Sequence, residues 1–96
     1  MKPSEALDNH RQRIKDIVES HRARNARVFG SVLRGNDDEA SDVDLLVDTT
    51  ESTTLLDLGA IQYEVSRLLG VGVDVLTPRA LPDKWREQVL REAQPV

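Results

Sequence analysis

The sequence predicts a small α/β (α+β) domain, a three-stranded mixed sheet flanked by helices. Three observations carry this: two long stretches place apolar residues at helical spacing, three short ones read as strands, and the two kinds are interspersed along the chain. The 96 residues, 39% of them hydrophobic, are expected to form one domain spanning 1–96, because a second core would not fit.

From Ser4 to about Ser20, Leu7, Ile14, Ile17 and Val18 recur at helical period among charged residues, an amphipathic helix with Ser4 as a cap candidate. Arg22–Asn25 is a polar break, and Arg27, Val28 and Phe29 form a short β-type run ending at Gly30 and Ser31. Val32–Arg34 can make one helical turn closed by Gly35. After a polar loop over 36–41, Asp42–Asp48 is the clearest strand: Val43, Leu45 and Val47 alternate with Asp42, Asp44, Leu46 and Asp48. Thr49–Thr54 is rich in capping residues and leads into a second long helix, marked by Leu55, Leu58, Ile61, Val65 and Leu68 and stopped at Gly70. Gly72–Leu76 is a β-branched strand with Asp74 embedded in it. Pro82 opens a last helix to about Glu92, marked by Trp85 and Val89, with Leu81 a third candidate.

Composition removes several classes of function. No cysteine is present, so there is neither a disulfide framework nor a thiolate metal site, and a reducing cytoplasmic setting is expected. His10 and His21 would stand roughly 16 Å apart along one helix at about 1.5 Å per residue, too far to share an ion. No stretch approaches the roughly 20 apolar residues of a membrane span, and Met1–Glu5 leads into a charged helix rather than a signal sequence. The formal charge of −4 argues against direct binding to a nucleic-acid backbone, which needs a basic face. A phosphate-bearing ligand must therefore bring cations. A chain this short buries only about 60–65% of its unfolded surface, so an oligomer or complex is plausible.

Asp42 and Asp44 stand two apart in a strand, so both project from one face and suit a hard divalent cation. Asp74, between two valines on another strand, poses the same problem: a buried unpaired carboxylate costs several kcal/mol. Three converging acids would repel one another without a cation. Gly30 and Ser31 sit where a strand turns into a helix, and there free N–H groups and a hydroxyl suit phosphate. Carboxylates, a divalent ion and a phosphate-binding turn are the components of phosphoryl or nucleotidyl transfer.

Gly30-Ser31, ten residues, then Asp42-Val43-Asp44 resembles the GS-x10-DxD signature of the polymerase-β-like nucleotidyltransferase superfamily. The run from Phe29 to Gly35 and from Ser41 to Val47 is similar to its minimal nucleotidyltransferase branch. The resemblance implies that Asp42, Asp44 and Asp74 are catalytic and bind two magnesium ions. It also implies that Gly30 and Ser31 hold the triphosphate of ATP or another nucleoside triphosphate, with Arg34 a further phosphate contact. Asp74 would help to activate the attacking hydroxyl. Minimal members resemble antitoxins paired with HEPN-domain toxins, and such relatives transfer AMP to a tyrosine of the partner. Val32-Leu33 departs from the basic or small residues frequent there.

Blander assignments stand beside these. Asp42 and Asp44 could be solvated strand acids, Ser31 a helix cap, and Asp74 a salt-bridged structural acid. Asp37, Asp38, Glu39 and Asp48 are expected as surface charge, Tyr63 and Trp85 as packing residues. An EF-hand loop would need an oxygen ligand at Leu46 and a glycine at Val47, and has neither. The alternatives to an adenylylating enzyme are an antitoxin that neutralises its partner by occlusion without catalysis, and a transferase acting on a small-molecule hydroxyl.

Overall fold

The computed structural model describes residues 2–38 and 40–96; Met1 and Glu39, the latter expected as a surface acid, lie outside them. The helix expected from Ser4 to Ser20 is two, α1 (Pro3–Asn9) and α2 (Arg11–Ser20), separated at His10, whose φ/ψ of −131°/21° leaves the helical region. Leu7 and Ile14 are both buried; standing seven apart, they fit one face of an unbroken helix, so the apolar spacing carries no sign of the break. Ser4 is not the cap. Its N–H donates to Asp37 Oδ2 at 2.9 Å, so an acid from the 36–41 loop satisfies one of the free donors at the start of α1. Asp37 is thus structural rather than surface charge: it is 6% exposed, and the Ser4 backbone bond holds its carboxyl below the usual range.

The first strand, β1 (Ala23–Phe29), starts four residues earlier than the sequence suggests. Ala23 pairs with Thr49 and Val28 with Leu45 on the neighbouring strand β2 (Val43–Thr49), and the register slips between Arg24 and Arg27. Ala23 and Val28 are an odd number of positions apart, so in a regular strand they would face opposite sides. A bulge at Asn25, whose φ of 55° asparagine tolerates, lets both face the core. Asn25 Nδ2 donates to Asp48 Oδ2 at 2.9 Å, and the Arg27 guanidinium pairs with the same carboxylate. Asp48 therefore fastens the bulge and is not free surface charge.

Gly30 leads into a single helical turn, α3 (Ser31–Arg34), closed at Gly35 as expected. The second long helix, α4 (Leu55–Leu69), opens on a reciprocal cap in which Thr54 Oγ1 accepts from the Asp57 N–H and Asp57 Oδ2 accepts from the Thr54 N–H. Ile61, Val65 and Leu69 are buried, but Leu55 is 85% exposed, as is Leu56, so the apolar stripe begins one turn later than expected. After β3 (Val73–Leu76) comes a 3₁₀ turn, Pro78–Ala80, and then α5 (Asp83–Glu92). A fourth strand, β4 (Gln94–Pro95), was not expected; it pairs antiparallel with β1 and seats Val96 in the core through its N–H to Ala26 O. The sheet order is β3-β2-β1-β4, with β2 and β3 parallel and the other pairs antiparallel. It is mixed, as predicted, with four strands rather than three.

Helices α1, α2 and α4 cover one face, and Val28, Val43, Leu45, Val47 and Val73 meet Ile14, Val18, Ile61 and Val65 there. Leu46, on the other face with Asp44 and Asp48, is also fully buried, where the 3₁₀ turn packs on β2 and Leu81 follows it. Among the described residues no helix is long and apolar enough to cross a membrane.

Ile61→Ala should cost about 2–5 kcal/mol in urea unfolding, since Ile61 is wholly buried, whereas Leu56→Gln should change stability by less than about 0.5 kcal/mol. Asp37 and Asp57 both have carboxyls held below their ordinary range, chiefly by backbone N–H groups. Their stabilisation is complete above the unfolded-state value and lost as pH falls through the folded one. Acid titrations should therefore show Asp37→Asn/Asp57→Asn losing less stability than the parent below about pH 4.

Candidate active site

The site is built where β2 and β3 begin and β1 ends. Parallel register sets Asp44 directly beside Asp74, and Asp42, expected to open the strand, lies just before it; Asp42 and Asp74 are exposed, and only Asp44 is half-buried. On the other side of β2, Phe29 pairs with Asp44, which brings the Gly30 turn against the acids. The three predicted acids and the Gly30-Ser31 turn thus share one corner of the sheet, although Ser31 and Asp42 are separated by the whole 36–41 loop.

Two glycines shape this corner. Gly30 has φ +79°, which strains any side chain, and a Cβ there would also push the Asp44 carboxylate aside. Gly72, just before β3, is filled in the same way by Asp42, whose Cγ would lie 2.9 Å from a Cβ. The two carboxylates therefore lean apart, Asp44 toward β1 and Asp42 toward β3. Gly72 was not singled out in the sequence; its only signal is a glycine next to an acid-bearing strand.

The acids have no cationic partner among the described residues. The ion pairs among the described residues engage Asp8, Asp48, Asp57, Glu64, Asp83 and Glu92 and leave out Asp42, Asp44 and Asp74, so within them Asp74 is not a salt-bridged structural acid. Burial pushes the Asp44 carboxyl above its ordinary range, and the charges of Asp74 and Asp42 push it further. Ser31 is not the cap of α3, since Gly30 occupies the N-cap position and Ser31 begins the helix. Arg34 reaches only Glu92, at 3.9 Å on the surface.

The donor set is three carboxylates, hard oxygen ligands that suit magnesium or a similar cation. As the side chains stand, no three carboxylate or imidazole groups among the described residues grip one point together, because Asp42 and Asp44 diverge. The histidines contribute nothing to it: His10 breaks a helix, and His21 bonds to Glu64.

The sequence matches the nucleotidyltransferase domain family over residues 7–96. It is 38% identical to the protein adenylyltransferase MntA of Thermococcus cleftensis over 81% of this chain and 79% of that one. Among solved structures, a candidate minimal nucleotidyltransferase superposes with a TM-score of 0.86 at 45% identity, covering 97% of this chain and 95% of its own. A toxin–antitoxin complex with AMP-PNP shares the fold at a TM-score of 0.73 and 17% identity, over 88% of this chain and 69% of that one. With the signature residues gathered at one corner of the sheet and the match running nearly end to end, this chain belongs to the nucleotidyltransferase family, as one of its minimal members.

Proposed function

We propose that the chain, acting as one domain over 1–96, is a magnesium-dependent protein adenylyltransferase. In this reading it moves AMP from ATP onto a hydroxyl of a partner protein, the HEPN-type toxin of a toxin–antitoxin pair, in the cytoplasm. One observation carries the chemistry. Three carboxylates are held near one another with no basic side chain of the described residues paired to them, beside a turn whose glycine admits close approach. Unpaired like charges are an expense that folding alone does not require, and perturbed acids of this kind cluster at functional sites. The acceptor class is supported by the adenylyltransferase relative and the toxin–antitoxin neighbour.

Asp42, Asp44 and Asp74 would hold the divalent ions, two by the family pattern, which when bound supply the positive charge that a triphosphate and these acids need. The chain's own groups then divide the work. The Gly30 backbone and the Ser31 hydroxyl bind the terminal phosphates, and Arg34 exchanges its exposed contact with Glu92 for phosphate. The acceptor oxygen forms a bond to the α-phosphorus as the bond to the pyrophosphate oxygen breaks in line. Asp74, exposed on the outer strand, takes the acceptor's proton.

Incubating the purified chain and its partner with labelled ATP and magnesium should label the partner, and Asp44→Asn should abolish it. Neutralisation that survives Asp44→Asn would replace this reading with occlusion of the toxin. The same variant makes an opposite prediction for the fold. Because the charged form of Asp44 is disfavoured, Asp44→Asn should melt higher than the parent in EDTA at neutral pH. The gap should narrow as pH falls through the raised carboxyl range and the parent sheds the same charge. Magnesium with ATP should raise the melting point of the parent only. Gly30→Ala, which drives a methyl into Asp44, should lose both labelling and stability by calorimetry.

A further inference from the structure

We infer that the groove between α5 and the acid-bearing face of the sheet receives the base of the transferred nucleotide, with Trp85 as the surface on which it stacks. The inference rests on the reading of the site as one for a nucleoside triphosphate. The groove is a cavity of about 370 Å³ whose apolar walls are Phe29, Leu76, Leu81, Trp85 and Val89. Gly30 and Arg34 also line it, so its occupant is continuous with anything held at the phosphate turn. A cavity near the small end of the roughly 300–1,000 Å³ common for ligand sites, mostly apolar with a few polar groups, suits a heterocycle better than a polypeptide. Gln88 and Glu92 supply those polar groups at its rim.

The helix that forms the outer wall is unusual for its burial. No residue of α5 is fully buried, and Trp85 remains 51% exposed, so its apolar stripe is not spent on the core. Trp85 and Val89, one turn apart, both line the groove. The Lys84 ammonium lies over the indole, 5.2 Å from its centroid, and the indole lines the cavity. Arg86 fixes the helix in place by donating to Pro78 O and Leu81 O, both at 2.8 Å, and to Arg79 O at 3.2 Å. An exposed tryptophan on a pinned helix is a preformed stacking platform, and a base gains from it whatever its identity.

The other cavity near the acids, about 480 Å³, is lined by Asp42, Asp74 and polar residues of α4, with Tyr63 its aromatic member. The Tyr63 hydroxyl already accepts from Arg67 Nη1 at 2.9 Å, and this cavity does not include the Gly30 turn. It makes Tyr63 the natural control.

The chain contains one tryptophan, so its fluorescence reports on Trp85 alone. The full chain would be titrated with ATP and with inorganic tripolyphosphate, each with magnesium, following fluorescence and heat. ATP should quench the signal and tripolyphosphate should not. Trp85→Leu should weaken ATP about tenfold while leaving tripolyphosphate unchanged, and Trp85→Phe should recover part of the loss. Unaltered ATP affinity in Trp85→Leu, or a loss carried by Tyr63→Leu instead, would overturn the base pocket. Tripolyphosphate binding that matches ATP in affinity and signal would overturn the pocket while leaving the phosphate site standing. Failure of the parent to bind either ligand would overturn both.

Discussion

The parallel register of β2 and β3 places Asp44 beside Asp74, with Asp42 one pleat away, and the rest of the corner is arranged around that repulsion. Backbone hydrogen bonding and the valines on the reverse face fix the register, because slipping β2 by one residue would turn Val43, Leu45 and Val47 out of the core. The same force that packs the core therefore holds the like charges together. Burial of Asp44 raises its proton affinity, and the neighbouring charges of Asp74 and Asp42, held near it by the strand register, raise it further.

Relief comes from the two glycines. Asp44 tilts into the space at Gly30 and Asp42 into the space at Gly72, so the carboxylates diverge across β2 while their Cα atoms stay in register. A side chain at either position would force the acids back toward each other. The divergence also explains why no three acids among the described residues converge on one point.

A chain of this size has little core to spare, and its distribution is uneven. One face of the sheet is sealed by three helices, while the other is sealed only where Leu46 meets the 3₁₀ turn and Leu81. Beyond that patch lie the acids on one side and the apolar wall of α5 on the other. The incompleteness of this second layer is what leaves the groove beside α5 open. Arg86 and the short β4 pairing tie down α5 and the tail without filling that room.

Local chemistry determined much of this protein. The alternation in Asp42–Asp48, the helical period from Leu58 to Leu68, the Gly35 and Gly70 stops and the spacing of Gly30-Ser31 from Asp42 and Asp44 each depend on neighbours a few residues away, and they located the strand, the helix and the candidate site residues. What only the tertiary structure decided involves partners far apart in the chain. Asp37 caps α1 from 33 residues away, Asp48 fastens a bulge across two strands, and Gln94–Pro95 becomes a strand because β1 offers an edge. Gly72 gains its purpose from a carboxylate on another strand, and Trp85 is left half exposed because the face that α5 covers has no core to take it. Periodicity records which side of an element is apolar, but not what stands opposite; that is set when the sheet closes.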